Sequence, residues 1–152
     1  MDFAKRLLIT GSREIGRDAL ADTEKLVSAY LGSILVGDAE GIDAKAIETC
    51  DRYNVPCTVH GAFGKMRRKT KQGKNIPLAG NYWNRDKFMA DKAEVVVAFW
   101  NGFSAGTRYT FQQAILRGIP VVVRNYKTGV ATYYLNGDIV EDGTLDELRL
   151  IF

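Results

Sequence analysis

The chain has one histidine, two cysteines and three prolines in 152 residues, and no apolar run near the ~18 residues a membrane-spanning helix needs. These scarcities exclude several classes of protein. Cys50 and Cys57 lie seven positions apart and match no zinc or dithiol redox spacing, so no metal is expected and both are read as reduced packing residues. Nothing points to a bound cofactor. Met1-Asp2-Phe3 leads straight into a strand-like run, so no signal peptide and no membrane partner are expected, and the cytoplasm is the expected compartment. A large charge of either sign is also missing, since the net charge is +3. Within 64–75, however, Lys65, Arg67, Arg68, Lys69, Lys71 and Lys74 stand with no acid, and the chain without those six charges is at −3. That segment reads as a mobile basic loop: a nucleic-acid contact, a cover for phosphates or a solvated surface.

What is present is a hydrophobic content of 46%, enough for a core without staples, and 15 glycines, several of them in turns that follow apolar runs. Periodicity predicts strands at 4–10, 33–36, 55–60, 94–100 and 119–124, and helices at 18–31, 43–53, 81–91 and 107–117. Strands that are apolar on both faces and alternate with helices define an α/β, Rossmann-like doubly wound, mostly parallel sheet covered on both sides. One domain is expected, with a core over about 4–124 and an appendage over 126–152. In that appendage Asn136-Gly137 joins 131–135 to 138–141 as a β-hairpin, and Thr144 with Glu147 reads as a capping box on a short last helix. A homo-oligomer is expected, with the hairpin or the apolar 148–152 as a contact.

Three turns carry the chemistry: Gly11-Ser12-Arg13, Gly37-Asp38-Ala39-Glu40-Gly41-Ile42-Asp43, and Ser104-Ala105-Gly106-Thr107. Each falls at the carboxyl end of a predicted strand, where ligands bind in such sheets. A helix start offers unpaired N–H groups and a positive dipole end, and glycine admits an anion close to the backbone. These turns point to a nucleotide or nucleotide-derived small molecule.

The order of these turns, with Asn84-Arg85-Asp86-Lys87-Phe88-Met89 between the second and third, resembles the SLOG superfamily, and is most similar to its YspA-like branch. That superfamily also includes the Lonely Guy phosphoribohydrolases and the DNA-processing protein A family, whose Gly-Ile-Asp turn is similar to Gly41-Ile42-Asp43. The resemblance covers about 4–124 and implies a nucleotide-binding Rossmann-like domain, in some members with hydrolysis of an N-glycosidic bond. It also implies a departure here: Lonely Guy enzymes carry a glutamate three residues after the threonine that resembles Thr107, and this chain has Thr110. A hydroxyl supplies no negative charge to an oxocarbenium-like transition state, which leaves Asp38, Glu40 and Asp43 as candidate catalytic acids.

The candidate ligand residues are Gly11, Ser12, Arg13, Gly37, Gly41, Asp43, Asn84, Arg85, Ser104, Gly106 and Thr107. Most have a structural alternative. Ser12, Asp43, Ser104 and Thr107 are also good caps, Gly11 also serves a turn, Arg13 also suits a surface salt bridge, and Arg85 also reads as an exposed helix arginine. His60 is read as structural, and Trp100 as core. Tyr82, Trp83 and Phe103 are candidates to stack on a base. Three functions remain open: a sensor or sequestering module for a nucleotide-like ligand, a nucleotide-processing hydrolase, and a nucleic-acid binder acting through the basic segment.

Overall fold

A computed structural model describes residues 5–146. The elements run β1 (Arg6–Gly11), α1 (Arg17–Ala29), β2 (Ser33–Val36), α2 (Ile42–Tyr53), β3 (Cys57–Gly61), β4 (Lys74–Pro77), α3 (Tyr82–Lys92), β5 (Val95–Trp100), α4 (Ala105–Leu116), β6 (Val121–Asn125), β7 (Val130–Leu135) and β8 (Asp138–Thr144). They form one eight-stranded sheet in the order β4-β3-β2-β1-β5-β6-β7-β8. Every pair from β4 to β6 is parallel, and β7 and β8 add as an antiparallel hairpin. The doubly wound α/β fold with its C-terminal hairpin is therefore the observed one.

Strand alternation divides the apolar residues between two layers. Leu7, Ile9, Val95, Val97 and Phe99 pack with α1 and α2, while Leu8, Val96, Ala98, Val121 and Val123 pack with Met89 of α3 and Phe111 and Ala114 of α4. Because β1 lies between β2 and β5, the chain leaves the sheet in opposite directions on either side of it. Such a reversal opens a crevice at the carboxyl ends of the two middle strands.

Some expectations need correction. The basic segment is not a loose loop: its end forms β4, which hydrogen-bonds to β3, and Ala62 bridges Lys65. Asp51 anchors its middle, accepting from Thr70 Oγ1 at 2.5 Å and Lys71 N at 3.1 Å. The sequence missed β4 because a strand of four residues, two of them Lys74 and Pro77, carries no apolar period. Thr144 ends β8, and the short helix expected after it, with Glu147 and 148–152, lies outside the described residues. Among the described residues no helix is long and apolar enough to cross a membrane.

Candidate functional site at the carboxyl edge of the sheet

The glycine turns meet at the crevice, and backbone packing explains why glycine is needed. Gly41 has φ +71° and its Cα faces the carbonyls of Ser12 and Arg13, where a Cβ would lie 2.4 Å and 2.5 Å from oxygen. Ile42 N donates to Ser12 O at 3.3 Å, and the Ile42 side chain fills the space where Gly11 would carry a Cβ. Ser12 is fully buried: its N–H donates to Phe99 O at 3.1 Å and its Oγ accepts from Asn101 N at 2.9 Å. Asn101 Nδ2 in turn donates to Glu14 O at 2.8 Å. The turns after β1, β2 and β5 are thus tied to one another. The Gly11-Ser12 turn does not start a helix, because α1 begins only at Arg17, and the exposed Arg13 lies between.

The third turn is a helix start with room in front of it. Ser104 caps α4, its Oγ accepting from Thr107 N at 3.4 Å and lying 3.0 Å from the buried Thr107 hydroxyl. A Cβ on Gly106 would meet nothing within 4 Å. The N–H groups of Ala105 and Gly106 have no acceptor among the described residues, and Gly106 is exposed. This first turn therefore offers two free donors and the positive end of the α4 dipole. Trp100 Nε1 donates to Ser104 O at 3.0 Å while its ring packs edge-on against Phe111, so Trp100 belongs to the core.

Beside this turn lies a buried charge cluster. Helix α3 begins at the carboxyl edge, with Asn81 and Asn84 capping it reciprocally, so Asn84 Oδ1 is engaged with Asn81 N at 3.1 Å. One residue on, Arg85 turns inward. Its Nε donates to Asp86 Oδ1 at 2.8 Å, and its Nη1 donates to Asp38 Oδ1 at 3.0 Å and to His60 O at 3.1 Å. Asp38, 1% exposed, also accepts from Arg67 Nη2 at 2.8 Å, Arg67 Nε at 3.1 Å and Arg67 N at 2.8 Å. Gly37 makes this approach possible, since a Cβ there would stand 2.7 Å from Asp43 Oδ2 and 2.8 Å from Arg85 Nη1.

The three carboxylates of this cluster titrate differently. Burial alone would raise Asp38, but the side-chain and backbone hydrogen bonds from Arg67 and the charges of Arg67 and Arg85 prevail, and its carboxyl sits below the usual range. It is a structural anion. Burial raises Asp43 to about 7 against the opposing charge of Arg85 and the Ala39 N–H, which donates to Asp43 Oδ2 at 3.2 Å. Burial also raises Asp86, opposed by Arg85 and by the Thr110 hydroxyl. Glu40 is exposed. His60 is 1% exposed with Nδ1 3.1 Å from Val36 O, and burial lowers its pKa, so it is a neutral packing residue against the Phe88 ring.

Sequence reasoning missed Asp86, although it follows Arg85 directly. It also placed Arg67 with the surface bases, because nothing in a run of lysines and arginines marks the one that turns toward a carboxylate. Thr110 lies one turn beyond Gly106 and donates to Gly106 O at 3.0 Å while also touching Asp86. Aromatic rings form the outer wall. Tyr82 meets Phe63 edge-on with centroids 5.3 Å apart and has the Arg67 and Arg85 guanidiniums 4.3 Å and 5.1 Å from its ring, and Trp83 meets Tyr109 at 4.3 Å. Phe103 stands apart with Lys127 Nζ 4.0 Å from its ring.

Among the described residues, no group of three or more His, Cys, Asp or Glu side chains is placed to hold a metal ion. Cys50 and Cys57 are buried and unbridged, and the contact with Cys50 and burial hold the Cys57 thiol far above its ordinary value.

The architecture and crevice define a Rossmann-like, doubly wound α/β fold, and solved structures share it. No family model and no curated protein matches the chain. The molybdenum cofactor binding protein of Rippkaea orientalis aligns with TM-score 0.69 and 14% identity over 80% of this chain and 76% of that one. DNA processing protein A of Streptococcus pneumoniae aligns with TM-score 0.65 and 16% identity over 78% of this chain, which spans only 50% of that protein. The Helicobacter pylori protein of that name, described with a single-stranded DNA binding mode, gives 0.66 and 16% over 88% of this chain and 69% of its own.

Proposed function

We propose that this protein binds a nucleotide or nucleotide-derived small molecule at the crevice and acts as a sensor or sequestering module. The observation that carries the reading is the open first turn of α4 beside a buried arginine, Arg85, at the point where the strand order reverses. The free N–H groups suit a phosphate and Tyr82 or Trp83 with Tyr109 offers a face to a base, while the role of ribose partner is assigned to Asp43, a buried acid that would have to be reached from the crevice. A molybdenum cofactor binding protein with this fold supports a small-molecule site in general. Self-association and a cytoplasmic location belong to the same reading, and light scattering of the purified chain tests the first.

Cleavage is the weaker reading. Asp38 is committed to two arginines and Glu40 is exposed, which leaves Asp43 as the candidate with a proton to exchange near neutral pH. A nucleic-acid reading is favoured by Lys65, Lys69, Lys71 and Lys74, all exposed on one anchored segment, and by the DNA processing proteins of like fold.

A thermal-shift screen against nucleoside mono-, di- and triphosphates, cyclic dinucleotides, ADP-ribose derivatives and oligonucleotides, with mass spectrometry of each mixture, decides among them. A ligand at 100 times its Kd adds about 2.7 kcal/mol. Stabilisation by an intact small molecule supports the module, and a cleaved ligand replaces it with the hydrolase. Stabilisation by oligonucleotides alone replaces it with the nucleic-acid reading.

A further inference from the structure

We propose that Arg67 and Arg85 together form an anion subsite for a phosphate group of the ligand, distinct from the α4 turn, so that the ligand carries two anionic groups. This rests on the small-molecule reading above for its connection to a nucleotide, but the arginine pair itself is read from geometry. Both guanidiniums converge on Asp38 Oδ1, at 2.8 Å and 3.0 Å. That shared carboxylate fixes their separation and orientation, and Asp86 adds a second carboxylate on the Arg85 side, so it is the unused N–H donors rather than a surplus of charge that point outward.

The donors left over point to an anion. Arg85 spends Nε on Asp86 and Nη1 on Asp38 and His60 O, and its Nη2 has no hydrogen-bond partner among the described residues. Among the described residues no buried side-chain nitrogen or oxygen lacks a partner, so Nη2, on a residue 7% exposed, retains contact with solvent. Arg67 spends Nε and Nη2 on Asp38, and its Nη1 has no partner among the described residues, on a side chain 34% exposed. The Tyr82 ring lies against both guanidiniums and limits their rotation. Two preorganised guanidinium edges at the mouth of a crevice match the planar, multidentate recognition of phosphate.

Hydrogen-bonded contacts connect this pair to the α4 turn. From Arg85 the contacts pass to Asp86, to Thr110 and to Gly106 O in the first turn of α4. A ligand with one phosphate at Gly106 can therefore place a second anionic group between Arg85 and Arg67. Arg67 comes from the segment between β3 and β4, so that segment contributes to ligand choice by delivering one side chain.

The test uses the full chain with inorganic phosphate, AMP and ADP as probes, followed by isothermal titration and phosphorus NMR line broadening. The variants are Arg67→Ala, Arg67→Lys and, as a control on the same segment, Lys71→Ala. Expected are phosphate binding by the parent, a loss of about tenfold or more in Arg67→Ala, a smaller loss in Arg67→Lys and none in Lys71→Ala. ADP should bind more tightly than AMP, and Arg67→Ala should remove that preference while retaining most AMP affinity. Arg67→Lys keeps the charge opposite Asp38, so it remains informative if Arg67→Ala does not fold. Equal phosphate affinity in the parent and in both Arg67 variants, or no phosphate binding by the parent, overturns the subsite. Nucleotide binding that ignores Arg67 would leave the functional reading standing without it, whereas Arg67-dependent phosphate binding with no nucleotide affinity would do the reverse.

Discussion

Replacing Asp43 with asparagine should stabilise the protein at neutral and higher pH, and the size of the effect follows from where the carboxyl sits. In the folded chain its pKa is about 7, against 3.8 for an ordinary aspartate, because burial disfavours the charged form. The folded state therefore binds the proton more tightly than the unfolded state, and stability falls as pH rises from about 4 to 7 and then levels off. A shift of about three units corresponds to on the order of 4 kcal/mol above pH 7, vanishing below about pH 4, where both states are protonated. Asparagine retains an oxygen for the Ala39 N–H and carries no charge. Urea unfolding of the parent and Asp43→Asn from pH 5 to pH 8 should show the variant gaining about 3 kcal/mol relative to the parent across that range. His60, which is perturbed but does not interact with Asp43, is present in both proteins and drops out of the difference, whereas Asp38 and Asp86 feel the Asp43 charge and contribute to it. Stability curves that run parallel from pH 5 to 8 would refute the argument that this carboxyl is charged at a cost in the fold.

Gly41→Ala should cost about 2 kcal/mol or more, because φ +71° is unfavourable for alanine and its Cβ would collide with two carbonyl oxygens; a drop in the urea midpoint checks this. Gly106→Ala should leave stability nearly unchanged, since a Cβ there meets open space, yet weaken binding of any ligand that sits on the α4 turn, as titration would show. Asp38→Asn should destabilise by about 3 kcal/mol or more at pH 7, because it removes the shared anion between Arg67 and the buried Arg85, with thermal unfolding as the readout. Neutralising Lys65, Lys69, Lys71 and Lys74 together should flatten the salt dependence of any oligonucleotide binding and leave nucleotide affinity within about twofold, measured by fluorescence anisotropy in a salt series.

The parallel core was legible because β1, β5 and β6 are buried on both faces and read as nearly continuous apolar runs. The hairpin was legible from Asn136-Gly137, both with positive φ in the structure. Helix ends were less so: α4 starts at Ala105, two residues before the periodicity begins, because Ser104 sets the boundary through its cap. At the site, sequence order marked the three turns but not their purpose. Ser12 and Gly11 join the loops rather than line open space, facts that depend on Phe99, Asn101 and Ile42 and hence on contacts remote in sequence. The charge cluster was the least legible part. Arg85 and Asp43 were candidates, but their burial, and the convergence of Arg67 from a lysine-rich stretch onto Asp38, arise only when β2, β3 and α3 come together.

The cross-ties among the turns after β1, β2 and β5 bear on how fast the proposed ligand would be captured. Ser12 is joined to Phe99 and Asn101, and Gly41 is wedged against Ser12 and Arg13, so these three turns should hold one another in place when a ligand arrives. Association should then be a single step whose speed is set by diffusion and by attraction of an anion to the arginines, rising as ionic strength falls. Dissociation should need no gate to open, so residence time would be governed by the contacts themselves, giving a ligand that exchanges readily and tracks its concentration in solution.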